Sequence, residues 1–72
     1  MKRHPDEIHV DIMAFIEEYG DAHRYAPLIA EVAAGVDLAP NGVGRHVATL
    51  VRMGLLEQPA GRRTLRVAEG AA

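Results

Sequence analysis

The segment from Pro40 to Gly54 does most to limit what this chain can fold into. On a helix turning about 100° per residue, Val43, Val47, Leu50 and Val51 fall within one apolar quadrant, while Asn41, Arg45, Ala48 and Arg52 line up on the opposite side. Pro at a first helical position lacks the N–H that would be orphaned there, and Gly just past the end tolerates a left-handed cap. These stops predict a helix of about four turns, with one side for a core and the other cationic. His46 falls about 60° from the apolar centre and is expected at the core margin.

Two shorter patterns precede it. Pro5 opens a first helix whose Asp6 and Glu7 complement the positive end of the helix dipole. Ile8, Ile12, Phe15, Ile16 and Tyr19 recur at the spacing of a buried stripe, and Gly20 is expected to end it. Val10 and Met13 point the other way beside Glu17, which makes them candidate contacts for a second copy or another protein. After a polar connection, Pro27 opens a second helix of about three turns with Ile29, Val32, Ala33 and Val36 inward. Val36 to Ala39 reads as a tight turn in which Leu38 plugs the core and Asp37 takes the left-handed conformation. Two helices joined so closely make a helix-turn-helix.

Beyond Gly54 the period changes from helical to alternating. Leu55–Gln58 and Arg63–Val67 are predicted strands, and Pro59-Ala60-Gly61-Arg62 carries Pro and Gly at turn spacing between them. Arg63, Leu65 and Val67 share one face of the second strand, with Thr64 and Arg66 on the other. Arg62 and Arg63 then sit at or beside the tip. Residues 68–72 have neither pattern nor turn chemistry and are expected to fray. The expectation is one domain over residues 1–67, mainly α with a small β-hairpin.

Size and residue types exclude several classes of function. A chain of 72 residues has interior for a single small core and leaves little room for an enclosed substrate cavity or an effector domain. There is no Cys to form disulfides or thiolate sites, and no Ser. No apolar run approaches the ~20 residues that cross a bilayer, and the opening Met1-Lys2-Arg3-His4-Pro5 leads into acids, so a cytoplasmic location is expected. His4, His9 and His23 with Asp11 have metal-binding types, but His9 and Asp11 are two apart on a helix and diverge. No paired carboxylates, phosphate loop or nucleophile motif occurs, so neither enzyme, metal nor cofactor is expected.

Charge supplies the positive argument. The net charge is −2, yet it is unevenly spread. Before residue 40, Lys2, Arg3 and Arg24 stand against Asp6, Glu7, Asp11, Glu17, Glu18, Asp21, Glu31 and Asp37; after it, Arg45, Arg52, Arg62, Arg63 and Arg66 stand against Glu57 and Glu69. A cationic second half points toward a polyanion.

Helix, helix, turn, helix and hairpin is the order of a winged helix-turn-helix. Glu31-Val32-Ala33, then Val36-Asp37-Leu38-Ala39-Pro40-Asn41-Gly42-Val43-Gly44-Arg45-His46-Val47-Ala48-Thr49-Leu50, then Met53-Gly54-Leu55-Leu56-Glu57 resembles the core signature of bacterial winged-helix regulators of the LexA-like, MarR-like and ArsR-like kinds. The likeness runs from Ile8 to Val67. It implies a small transcriptional regulator that binds double-stranded DNA through its third helix and its wing. The chain departs from those relatives in having Ala39 at a cap where Ser or Thr is usual, Asp37 where Gly is usual, and Gly42 and Gly44 where polar readers are expected. Loss of a cap costs about 1 kcal/mol, and two helical glycines cost roughly 2 kcal/mol together. Those glycines either let the backbone approach phosphates or leave the helix loose.

Only the major groove admits an α-helix and distinguishes all base pairs. On this reading Arg45 is the candidate for guanine, Asn41 for adenine or a phosphate, and Ala48 for a thymine methyl, while Gly42 and Gly44 permit close approach. Arg52 is placed on the sugar-phosphate backbone. Arg62, Arg63 and Arg66 are the wing's candidates for phosphates or an adjacent minor groove. One such module buries little surface, so a homodimer or a partner protein is expected. The alternative is a winged-helix adaptor that binds proteins and not DNA.

Overall fold

The computed structural model describes residues 4–59 and 63–68. Three helices, α1 (Pro5–His23), α2 (Ile29–Val36) and α3 (Pro40–Arg52), are followed by β1 (Leu56–Glu57) and β2 (Arg66–Val67). The strands pair antiparallel, with Leu56 opposite Val67 and Glu57 opposite Arg66. Ile12 and Ile16 of α1, Val32 and Ala33 of α2, and Val43, Val47 and Leu50 of α3 meet Leu56 and Leu65 of the hairpin in one buried cluster. Every element therefore contributes to the same core, and the apolar stripes anticipated from spacing are the faces that close on it.

Each helix end has a local cause. His4 caps α1 by accepting from the Asp6 N–H through Nδ1 at 3.1 Å. The helix does not stop at Gly20 but continues to His23, and Arg24 takes the left-handed turn at φ 65°. The extra turn is held by side chains: the His23 ring stacks on Tyr19 at 4.0 Å and its Nδ1 donates to the Tyr19 carbonyl. Likewise α2 starts later than expected and spans only Ile29–Val36, with Leu28 as its cap and Pro27 buried ahead of it. The start is set by Glu31, whose Oε1 accepts the Leu28 N–H at 2.7 Å. Asp37 adopts φ 58° and closes the turn, and Leu38 donates to the Ala33 carbonyl.

The third helix begins at Pro40 after an Ala39 cap that offers no side-chain bond. Its exit is a left-handed Gly54, φ 79°, which lets the Leu55 N–H return to the Leu50 carbonyl at 3.0 Å. Val51, assigned above to the inward quadrant, is 36% exposed; it stands about 80° round from Val43, too far for the hairpin to cover. Met13 is corrected in the opposite sense. It is partly buried and packs against the core cluster that holds Ile12 and Ile16, as a long unbranched side chain on the flank of a helix can. Val10 is exposed, so of the proposed contact pair only Val10 faces outward.

Both strands are shorter than the alternation suggested. Leu65 and Val67 face inward and Arg66 outward, as the pleat requires. The turn at Ala60–Arg62 lies outside the described residues. Ala68, expected in the frayed tail, donates to the Leu55 carbonyl at 2.9 Å and extends the pairing by one step. At the far side of α2, a side chain at Gly35 would run into the Phe15 ring, which explains why this helix carries a glycine at its contact with α1.

Candidate nucleic-acid interface

The outward side of α3 carries Asn41, Arg45, Ala48 and Arg52, all exposed. No acid occurs between Pro40 and Arg52. Arg45 forms no ion pair among the described residues, and Arg52 donates at 3.4 Å to the Thr49 hydroxyl, which itself donates to the Arg45 carbonyl. Around Gly42 and Gly44 the positions a Cβ would fill are open: nothing lies within 4 Å of either. The fold therefore imposes no packing reason for these glycines, unlike Gly35. At about 100° per residue they stand on opposite flanks of the outward side, one on either side of Arg45.

The hairpin's cations are placed differently. Arg66 lies opposite Glu57, its Nε 2.8 Å from Oε1, with both side chains largely in water. Such exposed pairs are weak and readily exchanged for another anion. Arg63 turns back toward the helices. Its Nη1 donates to Glu31 Oε1 at 2.9 Å and to the Ala26 carbonyl at 3.2 Å, and its guanidinium lies 4.7 Å above the Tyr25 ring. Arg62 lies outside the described residues. Six of the residues singled out above, Asn41, Gly42, Gly44, Arg45, Ala48 and Arg52, thus share one helix, whereas Arg63 and Arg66 are each engaged by a carboxylate.

Two polar arrangements were not apparent in the sequence. In the first, Glu31 accepts simultaneously from the Leu28 N–H, the Tyr19 hydroxyl at 2.8 Å and Arg63. Those donors, the backbone N–H foremost, hold its carboxyl well below the ordinary range, at about 2. Burial first, and the bond to Glu31 next, push the Tyr19 phenol up. The only signal in the chain is Glu31 three residues after Leu28, the spacing at which a first-turn carboxylate reaches back to a helix cap.

In the second, His9 Nε2 and His46 Nδ1 lie 3.0 Å apart, joining α1 to α3 with the rings edge to face. One imidazole must supply the lone pair and the other the N–H. Burial, reinforced by His9, pulls the His46 ring below its ordinary 6.5. Because the folded ring resists protonation more than the unfolded one, this contribution to stability is complete above about pH 6.5 and declines as pH falls below it. Melting temperature is accordingly expected to drop between pH 7.5 and 5.5, and His46→Leu is expected to flatten that dependence. Parallel pH profiles for the two proteins would refute the assignment.

Three helices with a helix-turn-helix at α2–α3, followed by an antiparallel hairpin and an exposed cationic α3, define a winged helix-turn-helix. Residues 8–64 match the family model of the LexA DNA binding domain, and the chain belongs to that family. It is thus a DNA-binding winged helix. No curated protein matches the chain. Among the described residues, no helix is long and apolar enough to cross a membrane.

Proposed function

We propose that this domain binds double-stranded DNA in a sequence-dependent manner as a small transcriptional regulator, with α3 in the major groove. Support comes from one observation above all: an exposed helix face free of acids, in which Arg45 has no ion-pair partner among the described residues and open space stands where a Cβ at Gly42 or Gly44 would be. Arg45 takes guanine O6 and N7, Asn41 an adenine edge or a phosphate, and Ala48 a thymine methyl. Arg52 meets the sugar-phosphate backbone. The hairpin contributes Arg66, which exchanges Glu57 for a phosphate, together with Arg62. A second copy, or a partner protein, occupies the neighbouring half-site, and Val10 is one of the exposed apolar side chains available for it.

The test is a titration of labelled duplexes, selected from genomic fragments, at several salt concentrations. Affinity is expected to fall steeply with salt, with a logarithmic slope of about −0.9 for each phosphate neutralised. Arg45→Ala is expected to lose about fivefold to 150-fold in affinity and to relax preference at one base pair. Absence of binding at low salt, or indifference to Arg45→Ala, would transfer the domain to the adaptor class.

A further inference from the structure

We propose that Glu31 is a positioning residue for DNA binding, and that Arg63 serves as its clamp on the hairpin and not as a phosphate ligand. The proposal rests on the reading of α3 and the wing given above and adds a mechanism by which the wing is held.

The hairpin has little of its own to keep it in place. Among the described residues its ladder pairs Leu56 with Val67 and Glu57 with Arg66, with one further bond from Ala68 to Leu55, and an isolated two-stranded hairpin is marginal in water. Leu56 and Leu65 anchor its base in the core. At the outer end of the returning segment, Arg63 takes φ 54°, a left-handed conformation uncommon for a residue other than glycine. That backbone turn sends the guanidinium inward, where one side chain meets two parts of the scaffold: Glu31 of α2, and the Ala26 carbonyl and Tyr25 ring of the α1–α2 connection. Its second nitrogen, Nη2, also reaches Glu31 Oε2, at 3.4 Å.

Glu31 is in turn immobilised. The Leu28 N–H and the Tyr19 hydroxyl hold both carboxylate oxygens, so the receiving end of the clamp cannot swing. Tyr19 is itself stacked on His23 and set edge-on to Tyr25. The helix-turn-helix and the wing are thereby linked through a fork whose geometry a planar guanidinium satisfies and an ammonium does not. With Arg63 committed to Glu31, the wing's approach to DNA depends on where the clamp holds it.

Three variants separate clamp from ligand. Glu31→Gln keeps one oxygen for the Leu28 N–H, turns an amide donor toward the Tyr19 hydroxyl oxygen, and removes the negative charge that holds the cation. Arg63→Lys keeps the charge without the fork, and Arg63→Met removes both. A phosphate-binding Arg63 would make Glu31→Gln bind DNA as tightly as the natural protein or more tightly, and Arg63→Lys nearly as tightly. The clamp predicts that all three lose about twofold to thirtyfold in affinity. Their salt slopes are expected to become shallower as the wing's phosphate contacts drop out, a change that loss of stability alone does not produce in the folded fraction.

Hydrogen exchange on the free protein provides a readout without DNA: amides at Leu65 to Ala68 are expected to exchange faster in each variant, with those of Val47 to Val51 unchanged. Should Glu31→Gln fail to fold, the two Arg63 variants decide the matter, because they leave the bonds from Leu28 and Tyr19 intact. Natural affinity in Arg63→Lys, or unaltered exchange in the hairpin, would overturn the clamp. Failure of the natural protein to bind DNA would instead remove the functional reading, and the exchange data would still determine whether Arg63 anchors the hairpin.

Discussion

Leu50→Ala is expected to destabilise the domain by between about 2 and 5 kcal/mol. Leu50 is fully buried and belongs to the cluster in which all three helices and the hairpin meet. Removing its branched end leaves a cavity that no neighbouring element can fill without opening a contact elsewhere, since each element already packs on the same side chains. Domains of this size commonly have only roughly 3–5 kcal/mol in hand, so the variant is expected to be largely unfolded at 37 °C. Urea titration followed by circular dichroism measures the effect directly. Leu50→Met, which keeps the volume, is expected to cost less than about 1.5 kcal/mol. If Leu50→Ala melts within a few degrees of the natural protein, α3 is not held by the core described here. The contrast with Arg45→Ala is informative, because an exposed side chain with no ion-pair partner among the described residues is expected to change stability by no more than about 0.5 kcal/mol while affecting DNA affinity strongly. One helix then supplies two independent readouts, packing from one face and recognition from the other.

Replacing both Gly42 and Gly44 with Ala is expected to act in the opposite direction on stability. Each lies inside α3 with open space where a Cβ would stand, so the substitution removes the entropic penalty of a helical glycine and introduces no clash. The gain is about 1–2 kcal/mol for the pair, which for a domain of this length raises the melting temperature by roughly 4–8 °C for each kcal/mol. DNA binding is expected to weaken in the same variant, because the added methyl groups widen the helix on both flanks of Arg45. More stability with undiminished affinity would mean that the glycines merely loosen the helix. No gain in stability would mean that α3 is less regular at its first turns than its backbone indicates.

Much of the fold was legible as periodicity. The stripe Val43, Val47 and Leu50 with Pro40 at the front specified α3, and Asp37 was recognisable as the residue able to turn left-handed before it. Helix ends were less so. Gly20 is a good stop signal, but the Tyr19–His23 stack carries α1 past it, and the Tyr19 ring in that stack is itself held by Tyr25 and Glu31. Met13 and Val51 exchanged their expected environments for a related reason: both lie on the flank of a helix, where the shape of the neighbouring element and not the angle alone sets what is covered.

For the candidate site the division is sharper. A helix turns through a fixed angle per residue, so the amino-acid order alone was enough to bring Asn41, Arg45, Ala48 and Arg52 to one side and to keep acids away from it. No such local rule relates Glu31 to Arg63 or His9 to His46, which are 32 and 37 residues apart. Only the packing of α1, α2, α3 and the hairpin on a shared core brings those pairs to within hydrogen-bond distance, and so only the tertiary structure decided that one wing arginine, Arg63, faces inward to a carboxylate.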